Sequence, residues 1–340
     1  MRIVHAVCTD AFAGVERHVA VLAAAQADRG HEVVVAGGHA ATMTAVMDRS
    51  QIRHIPARTV TGMRSVLNRL GDADIFNVHM TAAEIAAATA WQSRHVPVVA
   101  TRHFAAHRGQ SSWAAGVVSR WAARRIAAQI AVSRYVAEHV EPPATVVLSG
   151  VGSTEMSNPV ASRSRTVLVA QRLQPEKRTG DAIQCFAASG LAASGWHLDI
   201  AGSGADLGRL RDVVAQCGLD SSVRFLGQRR DIGILMANAA ILLAPRPDEA
   251  LGLTVLEAMS HELPVVAANG GGHRETIGAI APEFCYPVGD LSAGAEILRM
   301  LAANEAQRGQ LGARLRAAQR AQFSLEAQAC ATEAVYRSVL

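Results

Sequence analysis

The stretch PRPDEALGLTVLEAMSHELPVVAANGGGHRE, Pro245 to Glu275, decides the fold. Immediately before it, ILLA (241–244) is a short apolar run of the kind that forms a buried parallel strand. Leu251 to Ser260 reads as the following helix, PVVAA (264–268) as the next strand, and Gly270, Gly271 and Gly272 as the turn after it. Glu249 then falls in a strand-to-helix loop at the carboxyl end of a sheet, where open α/β sheets bind ligands. Glu257, eight positions on, falls on the helix. At helical geometry, eight residues place two carboxylates within about 80° of each other and roughly 12 Å apart along the axis. That is too far to share a proton, and it suits one extended ligand held at two points, such as two polyol groups joined by a diphosphate.

Outward from this stretch the same pattern repeats. Runs reading as strands are RIVHAV (2–7), EVVVA (32–36), DIFNV (74–78), VPVVA (96–100), QIAV (129–132) and ATVVLS (144–149). A second series is TVLVA (166–170), HLDIA (197–201), VRFL (223–226), AILLA (240–244) and PVVAA (264–268). Alanine-rich helical segments such as Val15–Arg29 and Asp206–Cys217 separate most of them, which predicts parallel sheets with right-handed crossovers. Periodicity stops at VGSTEMSNPVASRSR (151–165), where Ser, Asn and Pro gather, and this predicts a linker between two Rossmann-like domains. The expected division is 1–158, 159–322 and a C-terminal helix within 323–340 that packs back toward the first domain. Two such domains facing across a cleft would surround a long anionic ligand with strand ends and helix N-termini.

Composition narrows the class. At 340 residues, half apolar and 18% charged, the chain is globular and long enough for two domains. A net charge of +4 fits an anionic ligand or an acidic membrane surface as well as an ordinary basic surface. Lys177 is the sole lysine in a chain otherwise served by arginine. Five scattered cysteines without a CxxC pair point to a reducing compartment, the cytoplasm, and away from a zinc knuckle. The start MRIVHAVCTDAF has too short an apolar run for a signal peptide. The segment SSWAAGVVSRWAARRIAAQ (111–129), with two tryptophans and three arginines, reads as a surface helix or as a contact with the inner face of an anionic membrane.

Several other segments have chemistry-bearing residues at strand ends. In the loop Thr9–Arg17, Gly14 lets backbone amides approach a phosphate at the opening of the first helix, or simply makes a turn. In VAQRLQPEKRTGD (169–181), Arg172 and Lys177 follow a strand, as cations that clamp a diphosphate leaving group do. Gly202 and Gly204 in AGSG form either a nucleotide loop or a tight turn. The run Gly270–Gly272 is an amide-rich concavity suited to an anion or a sugar. His79 and His103 end two strands of the first half, at the edge where active sites form. His103 and His107 are spaced like metal ligands but lack a local third, so no metal is expected.

These residues, in this order, resemble the family 4 retaining glycosyltransferases of the GT-B fold. The likeness is strongest over Thr166–Ile277: Arg172-x4-Lys177, AGSG, VRFLGQ (223–228) and Glu249-x7-Glu257 followed by the glycine run. It is looser in Gly14-Val15-Glu16-Arg17, His79, Thr101-x-His103, Ala131-Val132-Ser133 and Ser149-Gly150-Val151. The resemblance implies that Arg172 and Lys177 hold the donor diphosphate, Glu257 the ribose and Glu249 the transferred sugar. It implies that Gly14 and Gly270–Gly272 face the donor, with His79 near the sugar. It also implies a nucleoside-diphosphate sugar as donor, no required cofactor or metal, and front-face transfer with retention; the base stays open, with uridine or guanosine first, the acceptor is a small molecule, lipid-linked or a glycan, and His103 is a candidate on the acceptor side. The chain departs from the family at Ala13, Asn77 and Ser149, where Gly, His and Asn are frequent. A nucleotide-sugar epimerase and a non-catalytic sugar-nucleotide-binding subunit are the competing readings. No dinucleotide fingerprint follows any strand, which argues against a dehydrogenase, and nothing points to nucleic acid.

Overall fold

The structure is a computed structural model that describes residues 1–47, 52–108, 113–154 and 158–340. Part of the expected linker (155–157) and the start of the basic helix (111–112) lie outside the described residues. The chain forms two compact units, Met1–Gly150 with Leu325–Leu340, and Val151–Ser324.

The first unit holds β1 (Arg2–Val7), β2 (Glu32–Ala36), β3 (Ile52–Ile55), β4 (Ile75–His79), β5 (Val98–Arg102), β6 (Ile126–Ala131) and β7 (Thr145–Val146). They form one parallel sheet in the order β3-β2-β1-β4-β5-β6-β7. The second unit holds β8 (Thr166–Ala170), β9 (His197–Ala201), β10 (Val223–Gly227), β11 (Ile241–Ala244), β12 (Val265–Ala268) and β13 (Cys285–Tyr286), ordered β10-β9-β8-β11-β12-β13 and again parallel. Both sheets are doubly wound. Their strand order reverses at β1/β4 and β8/β11, the kind of switch point at which open α/β sheets bind ligands.

The pleat explains the core. In β1, Val4 and Ala6 pack on one face with Phe76, Val78 and Met63. Ile3 joins Ile75, Val99 and Tyr336 on the other. Tyr336 comes from helix Leu325–Arg337, which belongs to the first unit and packs beside helix Gly14–Asp28. Arg29 and Glu333 tie the two helices with an N–H···O bond of 2.7 Å.

Two strands escape sequence reading. β3, IRHI, carries Arg53 and His54 in a short edge run, and β13 is only two residues long. The Pro245–Glu275 stretch also differs in detail. Its helix begins at Leu253, after Gly252 in a left-handed conformation (φ 95°), so Glu249 lies in the loop and the helical spacing between Glu249 and Glu257 does not apply.

Candidate active site

In the second unit the site is assembled from four strand-end loops. After β8, Gln171 N–H bonds Ala201 and Leu173 N–H bonds Ser203, which extends the ladder to β9 past the strand ends. This close approach needs Gly202 and Gly204: a Cβ on either would come within 2.0 Å of the carbonyl oxygens of Gln171 and Leu173. Packing alone accounts for both glycines, the tight-turn alternative. Arg172, held between those two backbone bonds, is 64% exposed and 4.0 Å from Glu176. Lys177 ends a short 3-10 turn, and Arg178 after it is left-handed (φ 56°). Gln171 Nε2 donates to the Lys177 carbonyl at 2.9 Å.

Lys177 Nζ donates to Glu249 Oε2 at 2.8 Å, with both side chains partly accessible at 14% and 22%. Arg246, not singled out in the sequence, lies 3.5 Å from the same carboxylate and bonds Asp248. Burial by itself would raise the Glu249 carboxyl, but Lys177 and Arg246 outweigh it and hold it below the usual carboxylate range. Behind it the glycine run presses on the Glu249 loop. Gly272 N–H bonds the Glu249 carbonyl at 2.7 Å. A Cβ on Gly270, Gly271 or Gly272 would lie within 2.5 Å of backbone atoms of Pro247–Leu251. Buried His273 donates from Nδ1 to the Ala268 carbonyl. Burial lowers its pKa, and Glu249 partly offsets that. Glu257 is half-buried on helix Leu253–Ser260. The structure brings together Lys177 and Glu249, both named from the sequence, and adds Arg246, whose position three residues before Glu249 was the available signal.

In the first unit the strand ends carry imidazoles. Alternation places His5 with Ile3, Asn77 and His79 with Ile75, and Thr101 and His103 with Val99, all on one sheet face; register pairs His5 with Asn77 and His79 with Thr101. His79 is fully buried, with Nε2 3.1 Å from His5 Nδ1 and Nδ1 2.9 Å from His103 Nε2. His103 is half-buried and stands edge-on to His18, ring centroids 4.6 Å apart. Thr101 donates to Asn77, and Asn77 Nδ2 donates to the Tyr336 hydroxyl at 2.6 Å, so the asparagine at a position where the resemblance favours histidine is a core link here. Ser149 bonds His18 Nδ1. Burial, together with neighbouring imidazoles or Arg102, pushes His79 and His103 well below the ordinary histidine range; burial brings His5 to about 4 and His18 to about 3.

A cavity of about 360 Å³ opens beside this cluster, lined in part by Met80, Thr81, Thr101, His103, Phe104 and His107. Met80 takes a left-handed φ of 66°, a strained conformation where β4 turns into helix Met80–Thr89. The loop 103–108 is fixed from below. Arg108 makes two N–H···O bonds to buried Glu84, and both Arg102 and Arg108 bond Glu141 at 2.8 Å. The imidazole that reaches the cavity is thus His103; His79, expected near the sugar, sits behind it with both ring nitrogens engaged. Gly14 opens helix Gly14–Asp28, and a Cβ there would meet nothing within 4 Å. His107 is exposed, and among the described residues no group of three or more His, Cys, Asp or Glu is arranged to hold a metal.

Two family descriptions match this chain: Glycosyltransferase Family 4 over residues 12–147 and Glycosyl transferases group 1 over 154–318. The chain belongs to the family 4 glycosyltransferases. It is 28% identical over 325 residues to the phosphatidyl-myo-inositol mannosyltransferase of Mycobacterium leprae, covering 87% of this chain and 85% of that one. It is 33% identical over 144 residues to an exopolysaccharide phosphotransferase of Streptomyces coelicolor; the match covers 42% of this chain and spans 15% of that longer protein. Among solved structures, Anabaena HepE in complex with UDP-glucose superposes with a TM-score of 0.80 at 19% identity, over 99% of this chain and all of that one. The fold of this glycosyltransferase is GT-B, built from two Rossmann-like parallel-sheet domains.

Proposed function

We propose that this glycosyltransferase moves a sugar, with retention, from a nucleoside-diphosphate sugar to an acceptor hydroxyl. The observation that carries the reading is the Lys177–Glu249 pair, 2.8 Å apart at the carboxyl edge of one sheet with Arg172 exposed nearby. An ammonium has three protons. Lys177 gives one to Glu249 and keeps two for phosphate oxygens, so it can hold the diphosphate and the sugar-binding carboxylate together. Arg172 adds a bidentate fork to the leaving diphosphate, and these cations supply the charge stabilisation that a divalent metal supplies in other transferases. Glu249, ionised, accepts from the transferred sugar's hydroxyls and Glu257 from the ribose. The Gly270–Gly272 run serves the donor by fixing the Glu249 loop, since Gly270 N–H bonds the Ala268 carbonyl and Gly272 N–H bonds that of Glu249. Gly202 and Gly204 serve it indirectly, by holding the Arg172 loop.

On the acceptor side His103 is the imidazole in contact, with His79 behind it, and the adjoining cavity takes the hydroxyl-bearing group. The Anabaena relative was solved with UDP-glucose, which makes uridine the first base to test and guanosine the second. The acceptor is a small molecule, glycan or lipid-linked sugar. Helix Trp113–Ala123 leaves Val117, Val118 and Trp121 exposed beside Arg120, with exposed Arg124 and Arg125 following it, and this basic apolar face suits an anionic lipid surface. Among the described residues no helix is long and apolar enough to cross a membrane.

The test is direct. Lys177→Ala and Arg172→Ala are each expected to cut turnover by about a hundredfold or more, with melting temperatures close to the parent's. Near-normal activity in both removes the clamp. Nuclear magnetic resonance of the product's anomeric centre reads retention, and an inverted product refutes it. Donor incubated alone yields an epimerised sugar nucleotide only if the protein is an epimerase.

A further inference from the structure

The first unit contains a line of buried hydrogen bonds with a defined direction. Gln26 Oε1, an atom that only accepts, lies 2.7 Å from His5 Nε2. His5 must therefore donate from Nε2. A neutral imidazole has one N–H, so His5 Nδ1 is left to accept, and its partner at 3.1 Å is His79 Nε2. The same step repeats: His79 Nδ1 accepts from His103 Nε2 at 2.9 Å. Each ring is thereby set as the Nε2–H tautomer. His103 uses Nε2 inward, which leaves Nδ1, unprotonated, as the nitrogen available on the cavity side.

We propose that Gln26, His5 and His79 are positioning residues that fix the tautomer of His103, so that it offers a ligand a hydrogen-bond acceptor and selects a hydroxyl over an anionic oxygen. The inference deepens the proposed acceptor role of His103 and rests on it for its functional meaning, though not for its structural content. A reversed Gln26 amide would reverse every bond in the line and turn a donor N–H toward the cavity. One amide, three residues away along the chain of contacts, thus chooses which chemistry the site accepts.

The charge state is fixed as well. The groups facing the line are His18, edge-on to His79 and His103; Arg102, beside His103; and the neutral Asn77, Thr101 and Tyr336. Among the described residues none is a carboxylate; the Gln26 oxygen favours a further proton on His5, but burial outweighs it. His18 is set independently. Gly150 N–H bonds Gln328 Oε1 at 2.7 Å, which turns Gln328 Nε2 toward His18 Nε2 at 3.2 Å. His18 then donates from Nδ1 to Ser149. Both amides come from helices that pack on this sheet face.

Nitrogen-15 correlation spectra of the imidazoles in the intact wild-type protein at pH 7 test the proposal without any variant. The expected pattern is Nε2 protonated and Nδ1 unprotonated in His5, His79 and His103. A protonated Nδ1 in His103, or interconverting tautomers, overturns it. Gln26→Leu is expected to mix the tautomers of His103 and to raise KM for the acceptor about tenfold while donor affinity is unchanged. An unchanged tautomer in a folded Gln26→Leu protein overturns the role of Gln26. If the spectra show the pattern and no variant alters transfer, the line stands and the acceptor role of His103 fails.

Discussion

Acidification from pH 7 to pH 5 should loosen the first unit through its buried histidines. His5 is fully buried with a pKa near 4, and His18 is almost fully buried near 3, against 6.5 for an unperturbed histidine. A group whose folded pKa lies below its unfolded value binds more protons when unfolded. Its stability contribution is complete above the unfolded pKa and is lost as pH falls toward the folded one. For a histidine at 4 that window runs from about 6.5 to 4. Between pH 7 and pH 5 each of the two loses about 2 kcal/mol, or about 4 kcal/mol together, before His79 and His103 add to it in the same direction. Carboxylates do not confuse this range. Burial would raise Glu141, but the Arg108 amide and Arg102 bring it to about 2, so its contribution is lost only below the ordinary carboxylate pKa. Hydrogen exchange at the β1, β4 and β5 amides, at pH 7, 6 and 5, reads the opening free energy of this unit separately from the other. A decline of less than about 1 kcal/mol by pH 5, after correction for intrinsic exchange, refutes the picture of four neutral imidazoles.

Other consequences follow from single contacts. Arg108→Ala leaves the Glu84 carboxylate buried without its counter-ion, and should destabilise the first unit by about 3–5 kcal/mol in denaturant titration; Glu84→Gln with Arg108→Met should recover much of that. Gly270→Ala puts a Cβ 2.2 Å from the Pro247 carbonyl oxygen, so the Glu249 loop must move by roughly 1 Å, enough to lower transfer about a hundredfold; unchanged turnover shows that the loop position is not critical. Replacing Arg120, Arg124 and Arg125 with Glu should abolish co-sedimentation with vesicles containing anionic lipid and leave turnover on a soluble acceptor intact; equal binding by parent and variant to neutral vesicles argues against a lipid face.

The candidate site was legible where its signal is local. A strand followed by a loop with Lys177 or Glu249 needs only short-range periodicity to place those side chains at one sheet edge, and the 2.8 Å bond between them agrees. Arg246 went unnoticed because arginines are common in this chain, and only its 3.5 Å approach to Glu249 distinguishes it. The family resemblance implies His79 near the sugar, and the strand end puts it at the sheet edge. What the strand end does not reveal is which neighbour covers it, and here His5 and His103 take both its nitrogens.

The sequence by itself determined the alternation of strands and helices, the two doubly wound sheets and the sheet edge at which Lys177 and Glu249 lie, because each follows from patterns a few residues long. Tertiary structure alone decided which groups meet: Gln26 from the first helix, Gln328 and Tyr336 from the last, and histidines 5, 18, 79 and 103. Those contacts span up to 310 positions, and the direction of an N–H in such a line depends on every partner at once. No local pattern encodes that, since a hydrogen bond's sense is fixed only when donor and acceptor are brought together.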